Sequence, residues 1–220
     1  MTLMNKILVM GSGSWGTALV KILLEDPAMQ VSWWVRKEET AEHINTVGRN
    51  PKYLRSVKFD KKRLTASTNV VELVAQHDTL LLVTPSAFVS DILDQLSNEQ
   101  LAGKKIISAI KGVEPNSLKI VGEYLFENKG VSQDDFGVIT GPCHAEEVAQ
   151  EKLSYLTFAS TNAVFCEKMC VALDCDYIKV TPSADIYGTE ISAVLKNVYA
   201  IAAGICHSLG YGDNFQAVLV

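Results

Sequence analysis

The chain has 220 residues, of which 48% are hydrophobic and 20% charged, and it carries a formal net charge of −5. That length can bury the core of one large or two small domains, the composition is neither disordered nor coiled-coil, and the acidic balance argues against a general nucleic-acid binder. No apolar run reaches the ~18 residues of a membrane-spanning helix, and the five cysteines, odd in number and without a CxxC pair, read as reduced thiols of a cytoplasmic protein.

The opening residues place Lys6 ahead of apolar residues, as a secretion signal does. Gly11-Ser12-Gly13-Ser14 breaks the run too early, so residues 6–10 read as a buried strand. A helix follows over 17–24 and a second β-rich run over 31–35. Further strands are predicted at 79–83, 105–109, 137–140, 156–159 and 177–180, and helices at 70–75, 88–96 and 117–126. Alternation of this kind specifies an α/β protein with a mostly parallel sheet and helices on both faces. The last two strands suit a mixed extension of that sheet. Near Asp185 the composition shifts, and residues 186–209 read as one long Ala-, Ile- and Val-rich helix capped by Asp185 or Ser183. The division expected is 1–184 for the α/β domain and 185–220 for the first part of a helical domain. A further helix opens at Asp213 or Asn214 and meets the last residue on an apolar run, as expected for a piece of a longer protein. The bare apolar face of that helical part also predicts self-association.

Gly11-Ser12-Gly13-Ser14-Trp15-Gly16 is a G-x-G-x-x-G turn between a strand and a helix. The first glycine permits the turn, the second lets a pyrophosphate approach the backbone, and the third lets helix and strand pack closely. The free amides of the helix start then face the phosphates. Arg36 stands after the second strand, where a carboxylate would select NAD. A cation there tips the preference towards NADP without excluding NAD.

Several further segments stand in order: Asn50-Pro51-Lys52-Tyr53-Leu54, Thr84-Pro85-Ser86, Ser108-Ala109-Ile110-Lys111-Gly112, Gly141-Pro142-Cys143-His144-Ala145-Glu146-Glu147-Val148-Ala149, Glu190 to Ile205 with Leu195-Lys196-Asn197, and Gly212-Asp213-Asn214. With the glycine turn, this series resembles the NAD(P)-dependent glycerol-3-phosphate dehydrogenases of the bacterial type. The resemblance implies a Rossmann-like domain joined to an all-helical one, and reduction of dihydroxyacetone phosphate to sn-glycerol 3-phosphate for phospholipid synthesis. It implies that Gly11, Gly13, Ser14, Trp15, Gly16, Arg36 and Ala145 serve the cofactor, with Lys111 between cofactor and substrate. Gly141 and Cys143 would line the substrate site, Lys196 would transfer the proton, and Asn197 would stand beside it. A homodimer is compatible with the resemblance, and no metal is implied.

The chain also departs from the family. Arg55 replaces a usual Pro, and Cys143-His144 replaces Ser or Thr followed by Phe. The family's later acidic residue and phosphate-gripping Ser-Arg-Asn segment have no match here. Two other readings stay open on the residues alone: a non-catalytic dinucleotide-binding or dimerisation module, and a dehydrogenase of 3-hydroxy acids or sugar acids.

The chemistry is self-consistent. Carbonyl reduction needs a proton donor, and a Lys with an ordinary pKa near ~10.4 is charged at neutral pH. Burial and a second cation would lower that pKa for the reverse reaction, and Lys111 could be that cation. The basic stretch 49–63 carries Arg49, Lys52, Arg55, Lys58, Lys61, Lys62 and Arg63 against Asp60 alone, and reads as a solvated loop. Cys166, Cys170 and Cys175 lack zinc spacing with any His and read as small core residues.

Overall fold

The computed structural model describes residues 5–219. The outermost ends of the predicted opening and closing segments lie outside that range. In chain order the elements are β1 (Lys6–Met10), α1 (Ser14–Leu23), β2 (Gln30–Trp34), α2 (Glu38–Val47), β3 (Leu64–Ser67), α3 (Val70–Ala75), β4 (Thr79–Leu82), α4 (Val89–Leu93), α5 (Asn98–Leu101) and β5 (Lys105–Ser108). There follow α6 (Val121–Lys129), β6 (Phe136–Thr140), α7 (Ala145–Ala149), β7 (Ser154–Ala159), α8 (Ala163–Leu173), β8 (Ile178–Ser183), α9 (Ile186–Ser208) and α10 (Asp213–Leu219).

The strands form one eight-stranded sheet in the order β3-β2-β1-β4-β5-β6-β7-β8. Neighbours from β3 through β6 are parallel, β7 runs antiparallel to β6, and β8 is parallel to β7. The mixed extension expected from the sequence is therefore present. The order reverses direction between β1 and β4, which opens a crevice at the carboxyl ends of the strands.

Period-two alternation divides the core. Ile7 and Val9 of β1 face one layer with Trp33, Leu81, Ile107 and the helices α1, α2, α7 and α8. Leu8 and Met10 face the other layer with Leu80, Ile106, Phe136 and the helices α3 to α6. Trp33 is fully buried, packs edge-on against Phe59, and donates from Nε1 to the Gly11 carbonyl at 2.8 Å.

The sequence reading missed α2, β3, α5, α7 and α8. Only Thr40, Ala41 and Ile44 of α2 are buried, too thin an apolar stripe to stand out. The predicted helix over 117–126 begins instead at Val121. The buried carboxylate of Glu114 accepts from the Asn116 and Ser117 amides, and Leu118 has φ 57°, so this stretch is committed to a turn. The predicted helix at 88–96 shortens to α4, entered through a 3₁₀ turn at Ser86–Phe88. Asp185 caps α9 by accepting from the Gly188 N–H at 2.8 Å. The helix runs on through Gly204.

The first half of α9 lies on the sheet, burying Ile186, Glu190 and Ala193. Further along, Val198, Ile201, Ile205 and Leu209 are exposed. Among the described residues no helix is long and apolar enough to cross a membrane.

Trp33 ties the sheet core to the glycine turn, so Trp33→Ala should lower unfolding stability by about 3–5 kcal/mol, the usual range for truncating a buried aromatic. Urea denaturation checks this, and a loss below about 1 kcal/mol would contradict the packing described.

Candidate cofactor and substrate cleft

The glycine turn is held by contacts that leave no room for side chains at two positions. Gly11 has φ +130°, and a Cβ there would lie 2.9 Å from the Val83 carbonyl. A Cβ on Gly16 would collide with the Gly11 carbonyl oxygen, so α1 can approach β1 this closely only with glycine. A Cβ on Gly13 would meet nothing within 4 Å. Gly13 is also the N-cap of α1 and offers no side-chain acceptor. The first turn of α1 therefore has no side-chain cap, and the positive end of the helix dipole lies at the cleft wall.

Asn50 braces the turn from outside and was not singled out from the sequence. It is buried, donates from Nδ2 to the Ser12 carbonyl at 3.0 Å and to Thr17 Oγ1 at 2.9 Å, and accepts from the Lys52 and Tyr53 amides. One side chain thus pins the start of the basic loop to the glycine turn. Its signal was its place in an Asn-Pro pair that opens a turn.

A cleft of about 480 Å³ opens over this turn. Gly13, Ser14, Trp15 and Gly16 form one wall, and Thr84, Pro85 and Ser86, beyond β4, form the next. Lys111 enters from the loop after β5, Cys143 and Ala145 from the β6–α7 connection, and Lys196 and Asn197 from α9. Gly141 lines an adjoining hollow of about 510 Å³ that shares Lys196. Arg36 is exposed after β2, outside the cleft lining. The structure thus brings together, in one cleft and its neighbour, the predicted residues Gly13, Ser14, Trp15, Gly16, Lys111, Gly141, Cys143, Ala145, Lys196 and Asn197. Gly11 stands beneath as the strand contact. His144 and Glu146 also line the cleft and had no role assigned from the sequence.

The electrostatics centre on two amines. Burial lowers the pKa of Lys111, and the charge of Lys196 lowers it further. The Lys111 ammonium also lies 5.3 Å from the centre of the Trp15 ring, a cation–π distance. Cys143 is buried and its thiol donates to the Tyr155 carbonyl at 3.1 Å. Burial pushes that thiol's pKa up, so it behaves as a small neutral group and not as a nucleophile.

A dinucleotide fits these residues. Trp15 Nε1 is buried with no hydrogen-bond partner among the described residues, an N–H in want of an acceptor. The open face of Gly13 and the uncapped start of α1 supply the space and the donors for a diphosphate. A separate hollow of about 440 Å³ lies at the far end of α1, lined by Lys21, Glu25 and Glu151 among others. There Lys21 is paired with both acids at 2.8 and 2.9 Å, so its charge is already satisfied.

Fold and cleft together define an α/β protein of the dinucleotide-binding class, with a lysine-bearing helix lining the same cleft as its glycine turn. Comparison with known proteins narrows the class. The family model described as NAD-dependent glycerol-3-phosphate dehydrogenase N-terminus matches residues 6–166, and that family's C-terminus model matches 185–220. The chain belongs to this family. It is 38% identical over 220 residues to glycerol-3-phosphate dehydrogenase [NAD(P)+] of Oceanobacillus iheyensis, covering 99% of this chain and 62% of that protein. Among solved structures it resembles glycerol-3-phosphate dehydrogenase of Coxiella burnetii, with TM-score 0.86, 27% identity, and coverage of 98% of this chain and 65% of that one. The Saccharomyces cerevisiae enzyme GPD1 gives TM-score 0.85 and 29% identity, covering 98% and 66%. The chain therefore spans just under two thirds of the curated relatives it matches.

Because Lys196 depresses the Lys111 pKa, Lys196→Met should raise it. Titration of isotope-labelled lysine side chains by NMR reads this directly, and an unmoved Lys111 would show that the two amines do not interact.

Proposed function

We propose that this chain provides the cofactor cleft and the proton-transferring lysine of an NAD(P)-dependent dehydrogenase that interconverts dihydroxyacetone phosphate and sn-glycerol 3-phosphate, in support of phospholipid synthesis. The convergence of the glycine turn, Lys111, Lys196 and Asn197 on one cleft carries this reading. Family membership and the names of the relatives support the substrate and the cofactor pair. On the same reading, residues 1–184 form the dinucleotide-binding domain and 185–220 open the helical substrate domain.

The cofactor, when bound, donates the hydride to the carbonyl carbon or takes it back. The chain's residues do the rest. The first-turn amides of α1 and the Trp15 indole N–H hold the cofactor, with Ala145 on the facing wall. Arg36, exposed after β2, meets the adenosine ribose and favours a 2′-phosphate there. Lys196 delivers a proton to the carbonyl oxygen as charge develops on it, and recovers that proton in the oxidative direction. Lys111 contributes positive charge towards a phosphorylated substrate. Asn197 offers an amide to orient the amine or the substrate oxygen. Gly141 lines the adjoining substrate hollow, and Cys143, with its thiol turned to the Tyr155 carbonyl, adds only a small neutral group to the cleft.

The exposed apolar residues of α9 support burial against further protein, including a second copy of the chain in a homodimer. A cytoplasmic location is in keeping with five unpaired cysteines.

Two experiments test the assignment in the chain completed with the C-terminal region its relatives carry. Lys196→Ala should cut turnover of dihydroxyacetone phosphate by about 10²–10⁴, the usual worth of a general acid; turnover within twofold of the parent would remove Lys196 from its role. Arg36→Ala should weaken NADPH binding about tenfold or more, the worth of a charged hydrogen bond, and leave NADH nearly unchanged. Fluorescence titration checks it, and equal losses for both cofactors would contradict the 2′-phosphate contact.

A further inference from the structure

Glu190 is a carboxylic acid only 1% exposed, six residues before Lys196 on α9, and the proton transfer above does not use it. Its oxygens accept from the Gly122 N–H at 3.1 and 3.3 Å. The Val121 amide and the Ser108 hydroxyl also act on it. Val121 and Gly122 begin α6, whose N-cap Ile120 has no side-chain acceptor. A helix start left without its own cap is therefore capped by a carboxyl from another helix, 68 residues away in sequence. Gly122 admits it only by lacking a side chain. A Cβ there would lie 2.9 Å from Glu190 Oε2 and 2.8 Å from the Phe136 ring.

Position on the helix gives this contact its consequence. Ile186, Glu190 and Ala193 are the buried residues of α9, and at spacings of four and three they form one stripe that Asn197 continues. Beyond Ala193 the helix is largely exposed. Ile186 and Ala193 make non-directional apolar contacts, whereas the Glu190 bonds set an angle. Lys196 stands about 9 Å further along the axis, and a slip of one residue would swing it by about 100°.

We propose that Glu190 is a positioning residue: by capping α6 from α9 it sets the rotation and register of α9 and so delivers Lys196 and Asn197 to the cleft. The kinetic consequence rests on the role given to Lys196; the clamp itself does not.

The groups facing Glu190 are the Val121 and Gly122 amides and Glu123 from α6, Ser108 from β5, and the Phe136 ring from β6. Burial, aided by the like charge of Glu123, outweighs the amides and the hydroxyl and raises the carboxyl pKa to about 7. The folded protein then holds this proton more tightly than the unfolded chain. The associated stabilisation is full below the ordinary carboxylate pKa of about 4.5 and is lost as pH rises through about 7. Glutamine keeps an acceptor and never ionises.

The test compares Glu190→Ala, Glu190→Gln and Gly122→Ala in the completed chain. Glu190→Ala should lower kcat at least tenfold with NADH affinity within twofold of the parent. Glu190→Gln should recover most of kcat, match the parent's Tm at pH 5, exceed it at pH 8, and lack any limb near pH 7 in its kcat profile. Gly122→Ala, which forces the carboxyl out from the opposite side, should repeat the kcat loss. A Glu190→Ala protein with kcat within twofold of the parent would overturn the proposal, even if its Tm falls. Should neither alanine variant fold, Glu190→Gln decides: a pH profile superimposing on the parent's overturns the proposal. Hydrogen exchange at Gly122 reads the clamp without turnover. If Lys196→Ala keeps activity while Gly122 stays protected only when Glu190 is present, the lysine assignment fails and the clamp stands.

Discussion

Two lysine side chains from separate elements enter one cleft, and fixing the elements that carry them is the constraint on which the site depends. Lys111 and Lys196 arrive on separate elements, a loop after β5 and the long helix α9. Lys111 is partly withdrawn from water and rests over the Trp15 ring. Its loop is folded by Glu114, whose carboxylate is saturated by the Asn116 and Ser117 amides and the Ser117 hydroxyl. Burial of Glu114 opposes ionisation, but these donors prevail and hold its pKa down at about 2. The loop is therefore built around a permanent carboxylate. α9 is held by its Asp185 cap and by the buried contacts of its first two turns. Hydrogen bonds remote from the amines thus fix both the loop and the helix that carry them.

The parallel sheet makes the convergence possible. Strands β1, β4, β5 and β6 all end on one side, so the loops that leave them face one another across the point where strand order reverses. The glycine turn, Thr84 to Ser86, Lys111 and Cys143 all come from such strand ends. α9 then crosses that edge and brings Lys196 and Asn197 to the same cleft. Asn50 ties the basic loop to the same turn.

Much of this was legible in the residues, and the exceptions have physical causes. β1, β2, β4 and β5 are dense apolar runs, and their positions agree with the sequence to within a residue or two. α2 and β3 bury too few residues to give a periodic signal. Residues 117–120 look helical by composition, yet Glu114 draws their amides into a turn, a tertiary choice that local propensity does not encode. The glycine turn was readable because each glycine answers a steric demand: Gly11 and Gly16 would collide with backbone, whereas Gly13 stays open. Lys196 stood out as a charge among apolar neighbours. Glu190 did not, because its partners Val121 and Gly122 lie far back in the chain and offer only amides. Asn50 stood in a quoted segment without a role of its own, because the Ser12 carbonyl and Thr17 hydroxyl that it reaches lie far back in the chain.

The most direct measurement of the central claim is a crystal structure with NADPH bound. The diphosphate should rest on the first-turn amides of α1, the Trp15 N–H should have gained an acceptor, and the Lys196 amine should face the nicotinamide ring. A diphosphate bound elsewhere, or a Lys196 amine directed to bulk water away from that ring, would contradict the account.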